Sequence, residues 1–124
     1  MTIELTNPKD LIGIKKPQLH LVPPSSKIYE ALALEDGAKK YGAYNWRDNK
    51  VLLSIYIAAI QRHVDRFWDG EDYAEDSGVH HLAHAKACLG ILLDSFELNN
   101  LIDDRPAKGT ASKLLSQHTK KGKE

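Results

Sequence analysis

The residues most able to do chemistry are concentrated in one fourteen-residue stretch, residues 71–84. It holds four carboxylates and three imidazoles. Carboxylates at this density repel one another unless cations lie between them. Clustered oxygen ligands suit Mg²⁺ or Mn²⁺, which usually bind a phosphate-bearing substrate as well. A closed zinc site is not favoured, because Cys88 is the chain's single cysteine.

Four carboxylates are the predicted metal ligands. Glu71 and Asp72 open the stretch and have no capping role, whereas Asp76 could instead cap the following helix. Glu35 falls within the apolar face of an earlier predicted helix, where a carboxylate needs compensation. Lys39 follows it at i+4, so an exposed ion pair is the alternative. We expect two or more divalent ions per site, held by these four carboxylates, with Glu35 and Glu71 catalytic.

A second group of residues is predicted to bind the substrate. Segment 41–47 combines three aromatic rings, an amide and a guanidinium, which suit base stacking and phosphate binding; a loop pinned by its aromatics is the alternative. Two arginines near residue 63 could contact phosphates or extend over the surface. Histidines at 81 and 84 could serve the site or the core. The predicted set is Lys39, Tyr41, Asn45, Trp46, Arg47, Arg62, His63, His81 and His84.

Three main helices must position these groups. Apolar periodicity predicts them at about 27–41, 52–68 and 78–98, followed by a short helix at 111–118. The first has a predicted Ser25-Ser26 cap, and the third a cap at Asp76 or Ser77. The third is apolar around most of its circumference and should therefore be central, with His80 facing solvent. The apolar faces expected to be buried are Ile28, Ala31, Leu32 and Ala38 on the first helix, and Leu82, Ala85, Leu89, Leu92, Leu93 and Phe96 on the third.

The chain divides into three predicted parts. Prolines at 8, 17, 23 and 24 predict an irregular arm over residues 1–26, whose apolar residues should lie along the body or a neighbouring subunit. Residues 27–118 form one all-α catalytic domain, and residues 119–124 a flexible lysine-rich tail. At 124 residues, no second domain is needed.

Composition excludes several classes of function. Seventeen basic and 17 acidic residues give a formal charge of zero, so no basic surface for duplex nucleic acid is expected. No apolar run approaches the roughly 20 residues that cross a bilayer, and the start does not resemble a signal peptide. We therefore expect a cytoplasmic protein. The chain also lacks a Walker-type phosphate loop and a Gly-x-Ser-x-Gly nucleophile.

Several short motifs resemble those of phage purine dNTP pyrophosphohydrolases, which belong to the all-α MazG-like group. The resemblance covers about residues 5–107 and implies a homo-oligomeric helical bundle, a dimer or tetramer. It also implies cleavage of dGTP, or next dATP, into the monophosphate and pyrophosphate with Mg²⁺ or Mn²⁺. Unlike the wider group, this sequence contains neither Glu-x-x-Glu nor Glu-x-x-Asp. The motifs are Asn7-Pro8-Lys9-Asp10, Lys16-Pro17, Leu19-His20-Leu21-Val22-Pro23-Pro24, Gly37-Ala38-Lys39-Lys40-Tyr41-Gly42, Asn45-Trp46-Arg47, Arg62-His63, Gly70-Glu71-Asp72, Ser77-Gly78 and His81-Leu82-Ala83-His84-Ala85.

Two other hypotheses stay open from the residues alone. The acidic stretch could bind nucleotide and metal in a regulatory module without turnover. Alternatively, its charges could serve only as helix caps and surface ion pairs.

Overall fold

The helix at the centre of the molecule is α5, residues His81–Glu97, which packs against α2 (Pro24–Tyr41) and α4 (Leu53–Trp68). The computed structural model describes residues 2–122. The predicted all-α fold and its central third helix are confirmed. The remaining elements are α1 (Pro8–Gly13), a 3-10 turn (Leu19–Leu21), α3 (Asn45–Asp48), β1 (Val51–Leu52), β2 (Leu101–Ile102) and α6 (Ala111–His118).

Small side chains form the contact between α2 and α5. Ala33, Ala83 and Ala87 are buried together, with Leu34 and Val79 packed against them. Because the spacing of two helices follows the size of the side chains between them, alanines allow a close approach.

A polar bridge accompanies the close α2–α5 contact. Lys86 Nζ lies 3.7 Å from Glu30 Oε1 and donates a 2.7 Å hydrogen bond to Ser26 Oγ. A Cβ at Gly90 would lie 2.9 Å from Glu30 Oε2, so this carboxylate occupies the space a larger residue would need. The bridge fixes the two helices at the edge of the alanine contact.

Helical periodicity selected the wrong face on α2. Ile28 and Leu32, predicted to be buried, are 61% and 43% exposed, while Ala33 is 4% exposed. The face prediction for α5 was also largely wrong, although Ala85 and Leu92 of the predicted stripe are buried. Periodicity finds the face with the largest side chains, whereas the contact here is made by small ones. Four members of the α5 stripe are exposed: Leu82, Leu89, Leu93 and Phe96.

The caps of two helices also differ from the predictions. Pro24 occupies the first turn of α2 and Pro23 is its N-cap, so Ser25 and Ser26 lie inside the helix. Proline suits this position because its missing N–H would have had no helical partner. The cap of α5 is His80, whose Nδ1 accepts a 3.0 Å hydrogen bond from the Leu82 amide. His80 is half-buried rather than solvent-facing, and its ring lies against those of Tyr29, Phe67 and Tyr73.

A parallel strand pair, absent from the predictions, holds the start of α4. Val51 pairs with Leu101, and Leu52 with Ile102. Asp104 then accepts hydrogen bonds from the Ser54 amide, at 2.9 Å, and from the Ser54 hydroxyl. Two-residue strands carry too little periodicity to be recognised from sequence. A carboxylate from beyond β2 thus caps α4, whose own N-cap residue makes no side-chain hydrogen bond.

The N-terminal arm is more regular than predicted, since it contains α1 and the 3-10 turn. The division into arm, domain and tail stays a prediction. Met1 and residues 123–124 of the predicted arm and tail lie outside the described residues. Within residues 2–122, no helix combines the length and apolar character needed to cross a membrane.

Ser95 provides a test of the packing around α5. It is completely buried, and its hydroxyl has no hydrogen-bond partner among the described residues. Because a buried hydroxyl without a partner is costly, Ser95→Ala should raise the free energy of unfolding by about 0.5–1.5 kcal/mol. Chemical denaturation followed by circular dichroism measures this. Ser112→Ala, at an exposed helical position, controls for helix propensity; a loss of stability in Ser95→Ala would contradict the packing described here.

Candidate functional site

A pocket of about 520 Å³ opens where α2, α3, α4 and α5 meet. This volume is within the roughly 300–1,000 Å³ of small-molecule sites. Ala33, Ala59, Ala87 and Ile91 contribute apolar lining, and polar groups lie on either side of them. One group is aromatic and surrounds Trp46, and the other contains carboxylates, a lysine and histidines.

The aromatic side of the pocket is fixed by Asp94 of α5. Its Oδ2 accepts a 2.7 Å hydrogen bond from Trp46 Nε1, and Arg47 places Nε 3.0 Å from Oδ2 and Nη2 3.1 Å from Oδ1. The hydrogen bonds from Arg47, and then from Trp46, lower the pKa of Asp94. The Trp46 and Tyr44 ring centroids are 5.1 Å apart. A planar apolar surface is therefore held in place before any ligand binds.

Asn100 holds the backbone of the same segment. Its side-chain amide donates to the carbonyl of Trp46 at 2.5 Å and to that of Asn49 at 2.7 Å. Tyr44 adopts a left-handed conformation, with φ of 56°, immediately before α3. The Trp46 indole is thus fixed through both its side chain and its main chain.

Two carboxylates share one ammonium group on the charged side. Lys40 Nζ lies 3.0 Å from Asp36 Oδ2 and 3.8 Å from Asp76 Oδ2. The hydrogen bond and charge of Asp36 raise the pKa of Lys40. The backbone N–H of Ser77, and then the charge of Lys40, lower the pKa of Asp76. The two carboxylates thus flank a position that already attracts a cation.

A chain of hydrogen bonds runs from solvent through a buried histidine to the pocket. His81 is 0% exposed; its Nε2 lies 2.5 Å from Glu71 Oε1, and its Nδ1 lies 2.9 Å from His63 Nδ1. The His63 ring stacks on that of His84, with centroids 4.8 Å apart. His84 Nε2 is in turn 2.7 Å from Ser77 Oγ.

Burial lowers the pKa of His63 to about 4, and the neighbouring His84, His81, Arg66 and Arg62 act in the same direction. Burial also lowers the pKa of His84, although Asp36 and Asp76 oppose that shift. Both pocket histidines are consequently neutral imidazoles near neutral pH.

The structure brings together about half of the predicted site residues. His81 and Glu71 lie behind the pocket through the His63 contact. Those that line the pocket are Tyr41, Asn45, Trp46, His63, Asp76 and His84.

The other predicted residues lie outside the pocket lining. Glu35, Lys39 and Arg62 are exposed, and the Arg47 guanidinium is engaged by Asp94. Asp72 contacts His81 through its backbone: the Asp72 carbonyl oxygen accepts a 2.9 Å hydrogen bond from the His81 amide. Across residues 2–122, no three His, Cys, Asp or Glu residues are grouped to hold a metal. The roles assigned to these residues from sequence stay predictions.

Four residues of the site were not among the predicted ones: Asp36, Lys40, Ser77 and Asp94. Asp36 and Lys40 carry the i, i+4 spacing of a helical ion pair, which is a recognisable signal. The neighbouring pair, Glu35 and Lys39, has the same spacing, so spacing alone does not distinguish the two pairs. The role of Asp94 depends on its contact with residues nearly fifty positions earlier, which no local pattern reveals.

Comparison with known proteins identifies the family. A family described as "dATP/dGTP diphosphohydrolase, N-terminal" matches residues 6–105. The chain belongs to this family. A dATP/dGTP diphosphohydrolase of Salmonella phage PMBT28 is 34% identical over an alignment of 101 residues that covers 77% of this chain and 33% of that protein. The chain thus spans about a third of the length of this curated relative. No solved structure matches the chain.

Membership of the dATP/dGTP diphosphohydrolase N-terminal family confirms the resemblance to phage purine dNTP pyrophosphohydrolases. The matched region contains α2, α4 and α5 and every residue named above as lining the pocket. The pocket therefore lies within the region that matches the family.

The depressed pKa of His63 makes stability depend on pH in a defined direction. The unfolded chain takes up this proton near pH 6.5, whereas the folded protein resists it down to about 4. Above pH 6.5 His63 is neutral in both states and the protein has its full stability. As the pH falls towards 4, the free energy of unfolding decreases, because the unfolded chain takes up the proton more readily. In His63→Gln, melting temperature should fall less steeply over this range. Melting curves at several pH values test this, with the exposed His118→Gln as control; parallel curves for wild type and His63→Gln would contradict it.

Proposed function

We propose that this protein is a metal-dependent hydrolase of purine deoxynucleoside triphosphates, yielding the monophosphate and pyrophosphate. The observation that carries the proposal is the pocket itself, which combines the fixed Trp46 surface with the paired carboxylates Asp36 and Asp76. The name of the phage relative, dATP/dGTP diphosphohydrolase, supports the same substrate class. We expect dGTP to be preferred and dATP to come next.

Asp36 and Asp76 are the carboxylates best placed to hold Mg²⁺ or Mn²⁺. Their donor set fits such an ion, because Mg²⁺ is usually held by one or two carboxylates together with substrate phosphates and water. A bound ion supplies charge neutralisation on the polyphosphate and a more acidic water. Lys40, which now bridges the two carboxylates, would then be free to pair with a phosphate. The second ion expected from sequence would need further donors, such as the predicted Glu35 and Asp72.

The base is proposed to bind on the aromatic side. Trp46 offers a flat apolar face, and the Asn45 amide can donate and accept hydrogen bonds at the edge of a purine. Since Asp94 holds the indole through a 2.7 Å hydrogen bond, little ordering is required when the base stacks. His63 and His84 then lie with the carboxylates, towards the phosphates.

The deciding measurement is product analysis. The purified protein is incubated with each dNTP and NTP plus Mg²⁺ or Mn²⁺, and the products are separated by chromatography. We expect dGMP or dAMP with pyrophosphate, which would also rank the two bases. Diphosphate with orthophosphate would overturn the proposal, whereas metal-dependent binding without product would favour a non-catalytic nucleotide-binding or regulatory module.

A thermal-shift experiment tests the carboxylates separately from turnover. Binding to the folded state alone stabilises it, so Mn²⁺ should raise the melting temperature of the wild type. This increase should shrink in Asp36→Asn and Asp76→Asn, and kcat/KM should fall about 10²-fold or more in both. Asp65→Asn, an exposed carboxylate on α4, is the matched control. An unchanged melting temperature in Mn²⁺ would instead support a purely structural role for these charges.

We also propose that the protein is a homo-oligomer, a dimer or tetramer, acting in the cytoplasm. Five of the seven apolar residues buried within residues 2–122 are alanines, which remove little area from water. Large apolar side chains remain outside: Leu82, Leu89, Leu93 and Phe96 are 42%, 47%, 69% and 67% exposed. Their spacing of seven, four and three residues is that of a helix-pairing seam. A second copy of the chain is the proposed occupant of this face.

Leu93→Asp tests this association. A carboxylate placed in an apolar interface must lose its hydration, so the variant should have a lower mass than the wild type in size-exclusion chromatography with light scattering. Leu115→Asp changes a leucine on α6 that is about as exposed as Leu93, and it should leave the mass unchanged. A wild-type protein that is monomeric at micromolar concentration would contradict the proposal.

A further inference from the structure

The hydrogen-bond chain behind the pocket restricts which ring nitrogens carry protons. His81 is completely buried, and its Nε2 lies 2.5 Å from the Glu71 carboxylate, which can only accept. Nε2 of His81 therefore carries a proton. In neutral His81 the other nitrogen, Nδ1, then has a lone pair.

This lone pair determines the tautomer of His63. The two Nδ1 atoms are 2.9 Å apart, a hydrogen-bond distance at which two lone pairs would repel. While His81 is neutral, His63 must therefore donate from Nδ1 to His81, and its Nε2 has the free lone pair. His63 lines the pocket, so a neutral acceptor is available there.

We propose that His63 is the general base of the reaction and that His81 and Glu71 are positioning residues that receive its charge. The inference rests on the proposed function. As the attacking water forms a new bond to phosphorus, its proton passes to Nε2 of His63. The bond from phosphorus to the pyrophosphate oxygen breaks, and pyrophosphate leaves with that electron pair. His63 passes its own Nδ1 proton to Nδ1 of His81.

The second transfer explains how a histidine in this position can accept a proton. Burial and the nearby His84, Arg66 and Arg62 disfavour a positive charge on His63, lowering its pKa to about 4. A charge moved to His81 lies instead against a carboxylate at 2.5 Å. The Glu71 carboxylate is half exposed, so bulk water can exchange protons at the far end of the chain.

The same geometry gives Glu71 a role other than the metal binding predicted for it from sequence. One of its oxygens is used by the buried imidazole, whereas Asp36 and Asp76 face the pocket. Glu71 thus acts through His81 and need not touch the substrate.

The first test measures tautomers without turnover. Long-range ¹H–¹⁵N correlation spectra of the ¹⁵N-labelled protein near neutral pH distinguish protonated from unprotonated ring nitrogens. We expect His63 protonated at Nδ1 and His81 at Nε2, with assignments made from His63→Gln and His84→Gln. A proton on Nε2 of His63 would overturn the inference, whatever the enzyme's activity.

The second test is kinetic. His63→Gln should lower kcat about 10²–10⁴-fold with little change in KM, and added imidazole should restore part of the activity of His63→Ala. Glu71→Gln keeps the acceptor but removes the charge, so kcat should fall about 10²-fold and the acidic limb of the kcat profile should shift. Other titratable groups face the same pocket, namely Asp36, Lys40, Asp76 and His84. The kcat profile of His84→Gln shows how much of the acidic limb is due to His84.

The outcomes separate this inference from the proposed function. Pyrophosphate release with wild-type kcat in His63→Gln would overturn the general-base assignment and leave the proposed function intact. Loss of activity without imidazole rescue, together with the wrong tautomer, would assign the cluster a purely structural role. A wild-type protein that turns over no nucleotide would overturn both. His118→Gln, on α6, serves as the unaffected histidine control.

Discussion

The complete burial of the His81 imidazole constrains the arrangement of everything around it. An imidazole removed from water must have both nitrogens hydrogen-bonded, or the structure loses about 1–3 kcal/mol for each group left unpaired. His81 meets this requirement with Glu71 from the preceding loop and His63 from α4. One side chain at the start of α5 therefore fixes the loop and the neighbouring helix relative to each other. The same two hydrogen bonds determine where a proton can be held beside the pocket.

The second constraint is the small size of the residues between α2 and α5. Ala33, Ala83 and Ala87 bring these helices together, and Ala33 and Ala87 also line the pocket that opens beside this contact. The pocket and the apolar surface are thus two results of the same packing. A core of alanines requires little volume, and large side chains that it does not use, such as Leu89 and Leu93, lie on the outside of α5.

The extent of the helices could be predicted from sequence, but their orientation could not. The bounds of α4 differ from the prediction by one residue, because large apolar side chains at offsets of three and four define its length. For α2 and α5 the same signal gave the length and the wrong side. Leu82, Leu89 and Leu93 form a regular stripe, yet alanines on the opposite side make the contact. Periodicity reports which face is most apolar, and the proposed association with a second copy of the chain would satisfy that signal as well as an internal core does.

In the site too, local sequence predicts some features, whereas tertiary contacts determine the others. The dense charge in residues 71–84 pointed to a stretch that supplies Asp76 and His84 to the pocket lining. Which partner each carboxylate takes depends on helices distant in the chain: Glu71 faces a histidine, while Asp76 faces Lys40. Asp36 and Glu35 are adjacent and both carry a carboxylate, but a rotation of about 100° around α2 places only Asp36 in the pocket. A carboxylate's role in this protein is therefore set by the face on which α2 meets α5, and that face is chosen by the alanines.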